Sequence, residues 1–186
     1  EDELSAGDVE FATSPDPVGS PIFYRDVPLM PARGEAGVIK PLAKEAIPLI
    51  AWRLRDVTKP ESKVVLRGMP TCANCHSFSA DGRTLGMDVD GPQGDKGSYA
   101  IAPIGRTTVI DDDEVITWNS FPDKPEGHKT IGFLSRISPD GMHALTTLNE
   151  SVYVANFTDF RFLQVFFPTR GILAWYSKAT DTMQAL

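Results

Sequence analysis

The chain holds only two cysteines and three histidines among its 186 residues, and no apolar run in it approaches membrane-spanning length. Without a third cysteine or a closely spaced histidine pair, a structural zinc site has too few ligands, and His128 and His143 lie too far apart to supply them. Basic residues are also outnumbered, 18 Lys and Arg against 25 Asp and Glu, which gives a formal net charge of −7 and argues against nucleic acid and anionic membrane surfaces. No Ser-His-Asp set, glycine-rich phosphate loop or basic aromatic groove is present, so hydrolase, nucleotide and nucleic-acid functions have no support. What the chain does have is 41% apolar residues, enough for one real core plus an extended arm.

Both cysteines and one histidine fall in a single run, Cys72-Ala73-Asn74-Cys75-His76. Two thiols at that spacing suit addition across the vinyl groups of one haem, with the adjoining imidazole placed to bind the iron. A thioredoxin-like dithiol needs a strand before the pair and a helix after it, whereas Gly68-Met69-Pro70-Thr71 and Ser77-Phe78-Ser79-Ala80-Asp81-Gly82 read as loop and turn. A plain disulfide leaves His76 unexplained. The motif therefore predicts one covalent haem c on a loop, with Cys72 and Cys75 as anchors and His76 as proximal ligand. Haem attachment of this kind takes place outside the cytoplasm, and the opening Glu1-Asp2-Glu3-Leu4-Ser5 reads as a mature end left after signal removal, so a periplasmic or extracellular location is expected.

Residues 1–62 read as an arm. Seven prolines between Ser14 and Pro48 fix φ and remove ladder donors, leaving room for regular structure only near Val38–Ala46 and Leu49–Leu54. Residues 63–186 read as an all-β domain that begins with the short strand Lys63-Val64-Val65-Leu66. Within it Phe78-Ser79-Ala80-Asp81-Gly82 returns as Ile137-Ser138-Pro139-Asp140-Gly141, an apolar-Ser-x-Asp-Gly turn that leads into a strand. Strand candidates follow in parallel order: Ser98–Ile101 and Val115–Trp118 after the first turn, Val152–Ala155 and Ile172–Tyr176 after the second. A recurring unit of short strands and turns predicts an all-β repeat architecture.

The Ser-x-Asp-Gly turns resemble those of TolB-like β-propeller repeats. The stretch from Met69-Pro70-Thr71-Cys72 through Asp88-Val89-Asp90-Gly91-Pro92 resembles propeller proteins that carry a c-type haem motif just before a blade. The resemblance covers the chain from Lys63 onward and implies antiparallel, propeller-like strand repeats. The turns are 141 − 82 = 59 residues apart, long for a blade, which predicts insertions near Gly91–Lys96 and Pro122–Lys129. Two turns do not close a ring, so the expectation is an incomplete propeller, either a fragment or a sheet whose open edge is covered.

Met87, 87 − 76 = 11 positions beyond His76, is the leading candidate for the second axial ligand of the iron. Its alternation with Leu85 and Val89 fits a core position as well. His128 and His143 compete with it, and an open sixth position is the remaining option. The carboxylates of Asp88–Asp95 lack EF-hand spacing, and Asp111-Asp112-Asp113-Glu114 reads as an exposed tip. The functional expectation is a monohaem c-type cytochrome that passes electrons to a redox partner protein or a larger electron-transfer complex. It is expected to be a carrier more than a catalyst. The alternatives are a propeller binding or assembly module with a structural or sensory haem, and a haem peroxidase.

Overall fold

In the computed structural model, residues 7–17, 19, 21–28, 44–70, 73–92, 95, 97–149 and 171–186 are described, together with the backbone of 152–156 and 164–168. Among the described residues thirteen strands are paired wholly antiparallel in four sheets. The first sheet joins β1 (Ile22–Asp26), β2 (Ala51–Arg55) and β3 (Lys63–Arg67). The second is a meander of β4 (Ala73–Phe78), β5 (Thr84–Val89), β6 (Ser98–Pro103) and β7 (Val115–Thr117). The third contains β8 (Ile131–Ile137), β9 (His143–Asn149), β12 (Gly171–Ser177) and β13 (Thr182–Ala185), while β10 (Val152–Asn156) and β11 (Gln164–Pro168) form a separate two-stranded ribbon.

The two Ser-x-Asp-Gly turns are built alike. Ser79 Oγ donates to Asp81 and accepts from the Thr84 amide, and Asp81 accepts from the Arg83 amide. Ser138 and Asp140 make the same set with the amides of His143 and Met142. Gly82 and Gly141 take φ of +68° and +73°, values that a side chain would strain. The following strands match too, but the second unit is interrupted: β10, expected to be the counterpart of β6, pairs with β11, and β12 takes the place beside β9.

Strand alternation sorts the middle meander into two faces. Ala73, Leu85, Met87, Val89 and Ala100 point one way and pack with Trp52 and Leu66 of the first sheet and with Ile50, which leads into β2. Tyr99 and Ile101 point the other way and, with Trp118 and Phe121, meet Ile137, Ala144, Leu148, Ala174 and Tyr176 of the third sheet. The order is therefore first sheet on middle sheet on third sheet, with two apolar layers between them. Strand β8 runs over β4, β5 and β6. A polar chain crosses the second layer: Trp118 Nε1 donates to Ser135 Oγ, 3.1 Å, which lies 2.9 Å from the Thr146 hydroxyl.

The propeller expectation is corrected by this topology. The all-β class stands, but the described strands form open antiparallel sheets, and none closes into a barrel or curls as a propeller blade. The predicted haem-binding loop is also corrected, because Ala73–Phe78 is strand β4, paired with β5 across a bulge between Asn74 and Ser77. The arm contributes β1, and the 62/63 position falls inside the β2–β3 pairing. The Val38–Ala43 part of the expected arm structure lies outside the described residues.

Gly132 makes the close approach of β8 to the middle sheet sterically feasible, since a Cβ there would lie 2.2 Å from the Trp118 ring. Gly132→Ala is predicted to destabilise the fold by about 1–3 kcal/mol through overpacking. Thermal unfolding checks this against Gly7→Ala, which meets nothing within 4 Å and is expected to leave Tm unchanged.

Candidate functional site

Strand β4 is an edge strand, and its bulge turns neighbouring side chains in different directions. Cys75 sits at φ +53° and is exposed, whereas His76 turns toward the first sheet. The imidazole packs edge-on against Phe23, centroids 4.7 Å apart, and Phe78, 5.8 Å apart. Burial, then the Arg136 charge, holds His76 below the ordinary histidine pKa. Met87 is fully buried in the layer beneath the first sheet. Cys72 lies outside the described residues. His128 is exposed on a turn, and His143 follows the second Ser-x-Asp-Gly turn at the far side of the third sheet.

These placements correct the cofactor expectation. Among the described residues no group of three or more His, Cys, Asp or Glu side chains comes together as a metal site. The strand holds Cys75 outward and engages His76 with two phenyl rings, in place of the loop on which thiols and imidazole were expected to converge. The same placements run against the expected covalent haem c, the cytochrome electron-transfer role and the haem-bearing alternatives. No described helix is long and apolar enough to cross a membrane.

Two further features of the structure stand out. The first lies between the middle and third sheets. Asp88, on the face of β5 toward β8, accepts a backbone hydrogen bond from Ser135, 3.3 Å, beside Leu134, which is held at φ +55°. Its Oδ1 is buried with no hydrogen-bond partner. Burial pushes the Asp88 carboxyl up to about 6, partly offset first by the Ser135 side chain, then by the amides of Ser135 and Leu134 and by the Arg136 charge. Tyr99, whose hydroxyl lies 3.3 Å from Ser77 Oγ, is pushed up to about 12 by burial first and by the nearby Asp88 charge among lesser causes.

The second feature is the outer face of the third sheet. Opposite the buried Ala144, Thr146 and Leu148, strand β9 points His143, Leu145 and Thr147 outward. The register sets Leu145 beside Trp175 and Thr147 beside Leu173 on β12. Leu145, Leu173 and Leu186 are 41%, 48% and 72% exposed. They belong to a surface with a groove of about 430 Å³, whose lining includes Pro139, Leu145, Trp175 and Leu186 together with Arg136 and His143. The His143 ring lies 5.1 Å from that of Trp175, and its Nδ1 is 3.6 Å from Asp140. A signal for this face was present in the sequence: Ile172-Leu173-Ala174-Trp175-Tyr176 is continuously apolar, whereas a strand with one solvated face alternates.

Comparisons with protein-family models, with curated proteins and with solved structures find no match, so the TolB-like resemblance gains no support from them.

The Asp88 shift carries a sign. A carboxyl raised from 3.8 to about 6 binds its proton more tightly in the native state, so its contribution to stability is greatest at low pH and is lost as pH rises from about 4 to 6. His76, lowered by burial, works oppositely near neutrality, but it is common to wild type and variant. The Tm difference, Asp88→Asn minus wild type, is therefore expected to grow between pH 4 and pH 7. A difference that stays flat across this range would refute the assignment.

Proposed function

We propose that the chain is a protein-binding module whose partner docks on the outer face of the third sheet. The observation that carries this reading is the contiguous apolar surface of Leu145, Leu173, Trp175 and Leu186, with its groove, on strands whose opposite face is already buried in the core. Monomeric proteins rarely expose large contiguous apolar patches, and such patches mark interaction sites. An aromatic residue, Trp175, in the lining of an apolar groove that Arg136 and His143 also line, is the residue type enriched at interface centres. Net charge supports the same reading, because a chain at −7 is disfavoured at anionic membranes and on nucleic acid.

A photoreactive phenylalanine analogue placed at Leu173 tests the proposal in the producing cells. Irradiation is expected to join the chain to a protein partner there, and not when the analogue replaces Lys59, which is exposed in the turn between β2 and β3. The adduct is expected to fall at least several-fold when Leu145→Lys is added. Absence of any adduct at Leu173, or equal adducts at the two positions, would sink the reading.

A further inference from the structure

Strand β1 is a regular border. It pairs with β2 over all five of its residues with no break in register, whereas β3, the opposite border, is joined to β2 across a bulge and already gives its Val65 carbonyl to the Thr108 amide. Among the described residues no strand lies on the other side of β1, and Ile22–Asp26 contains neither the proline nor the lysine that commonly keeps a border from taking another strand. Its two faces differ. Phe23 and Arg25 turn inward, Phe23 against the rings of His76 and Phe78 and Arg25 over the Trp52 ring. Ile22 and Tyr24 turn outward, in register with Arg55 and Arg53 of β2.

A segment that fits this border lies in the same chain. Asp8-Val9-Glu10-Phe11 alternates acidic and apolar residues and Ala12-Thr13 follows, the period of a strand with one covered face. Yet residues 7–17 are all exposed and none of them is in a strand, and Val9 and Phe11 are 84% and 83% exposed. Laid antiparallel on β1 with Val9 and Phe11 inward, the segment brings phenyl rings together across the pair, Phe11 with Phe23. Asp8 and Glu10 then lie on the outward face, two strand spacings or about 10 Å from β2, toward Arg53 and Arg55. Arg55 has no ion-pair partner among the described residues. The complementarity extends beyond these side chains, since residues 1–17 hold six acidic residues and no Lys or Arg, while residues 51–67 hold five Lys and Arg against two acidic residues.

We infer that residues 8–13 of one copy add to β1 of a second copy as an antiparallel strand, and that the exchange is reciprocal, closing a two-fold dimer. This surface is separate from the outer face of the third sheet, and the inference does not rest on the docking reading. The linker selects a second copy over the chain's own sheet. Residues 14–21 join the segment to β1 and include Pro15, Pro17 and Pro21, each of which also holds the residue before it extended. Eight such residues span on the order of 25 Å as a semi-rigid spacer, in place of the tight turn that a hairpin with the chain's own β1 favours.

A photoreactive phenylalanine analogue replacing Phe11 in the full chain tests the inference. Irradiation of the purified protein is expected to yield a covalent species of twice the chain mass, with the adduct mapped to residues 22–26, and the unmodified wild-type chain is expected to sediment as a dimer. Val9→Lys is expected to lower that adduct several-fold. The double variant Val9→Lys with Phe11→Lys alters only exposed positions, so it is expected to keep the wild-type circular dichroism spectrum and to sediment as a monomer. An adduct of single-chain mass, in which the segment has folded back on its own sheet, would overturn the inference. So would a double-mass adduct mapped away from β1, a wild-type chain that sediments as a monomer, or a double variant that remains dimeric.

Discussion

The seating of the Trp118 indole on Gly132 holds the two halves of the repeat together. The ring fills the space that any side chain at residue 132 would need, and Nε1 reaches Ser135 at the centre of the interface. Because Trp118 is fully buried, its N–H requires a partner, and that partner lies on the bulged stretch of β8. Thr130 completes the arrangement by donating its hydroxyl to the Trp118 carbonyl. The register of β8, the position of Asp88 beneath Leu134 and the direction in which Leu145 points all follow from this one contact. A sheet that slipped by a residue would send Leu145 and Trp175 inward and leave Ala144 and Ala174 outside.

Much of the strand layout was legible in the residues. Lys63–Leu66, Ser98–Ile101, Ile172–Tyr176 and all but the last residue of Val115–Trp118 are strands, because alternating or continuous apolar runs bounded by turn residues have few other stable forms. The two Ser-x-Asp-Gly turns were readable for the same reason, since each residue has a local hydrogen-bonding task. The insertion of β10 and β11 was not readable, because Val152–Ala155 has the same apolar character as β6 and only the pairing distinguishes them. Strand β1 was hidden by its proline-rich surroundings, although Ile22-Phe23-Tyr24 carries ordinary strand residues.

The site was less legible. A five-residue motif suggested a chemistry whose geometry depends on three side chains turning to one point, and spacing along the chain does not fix direction in space. Strand pairing of 73–78 with β5 sets the directions of Cys75 and His76, and that pairing depends on residues beyond the motif, from Leu85 to Val89. The outer face was obscured for a different reason. Leu145 and Trp175 look like core in the sequence, and only the order of the sheets shows that their side faces solvent.

Both left-handed residues at strand bulges, Cys75 and Leu134, lie on border strands, β4 of the middle sheet and β8 of the third. A bulge with a residue at positive φ coils the strand and breaks the even row of amides and carbonyls that another chain would need to add on laterally. These borders are thus poor templates for fibril growth, even though apolar surface lies close by. Lateral addition is thereby left to the opposite borders, β7 and β13, whose pairings run without a bulge, so a ribbon has only one side of each sheet open to it.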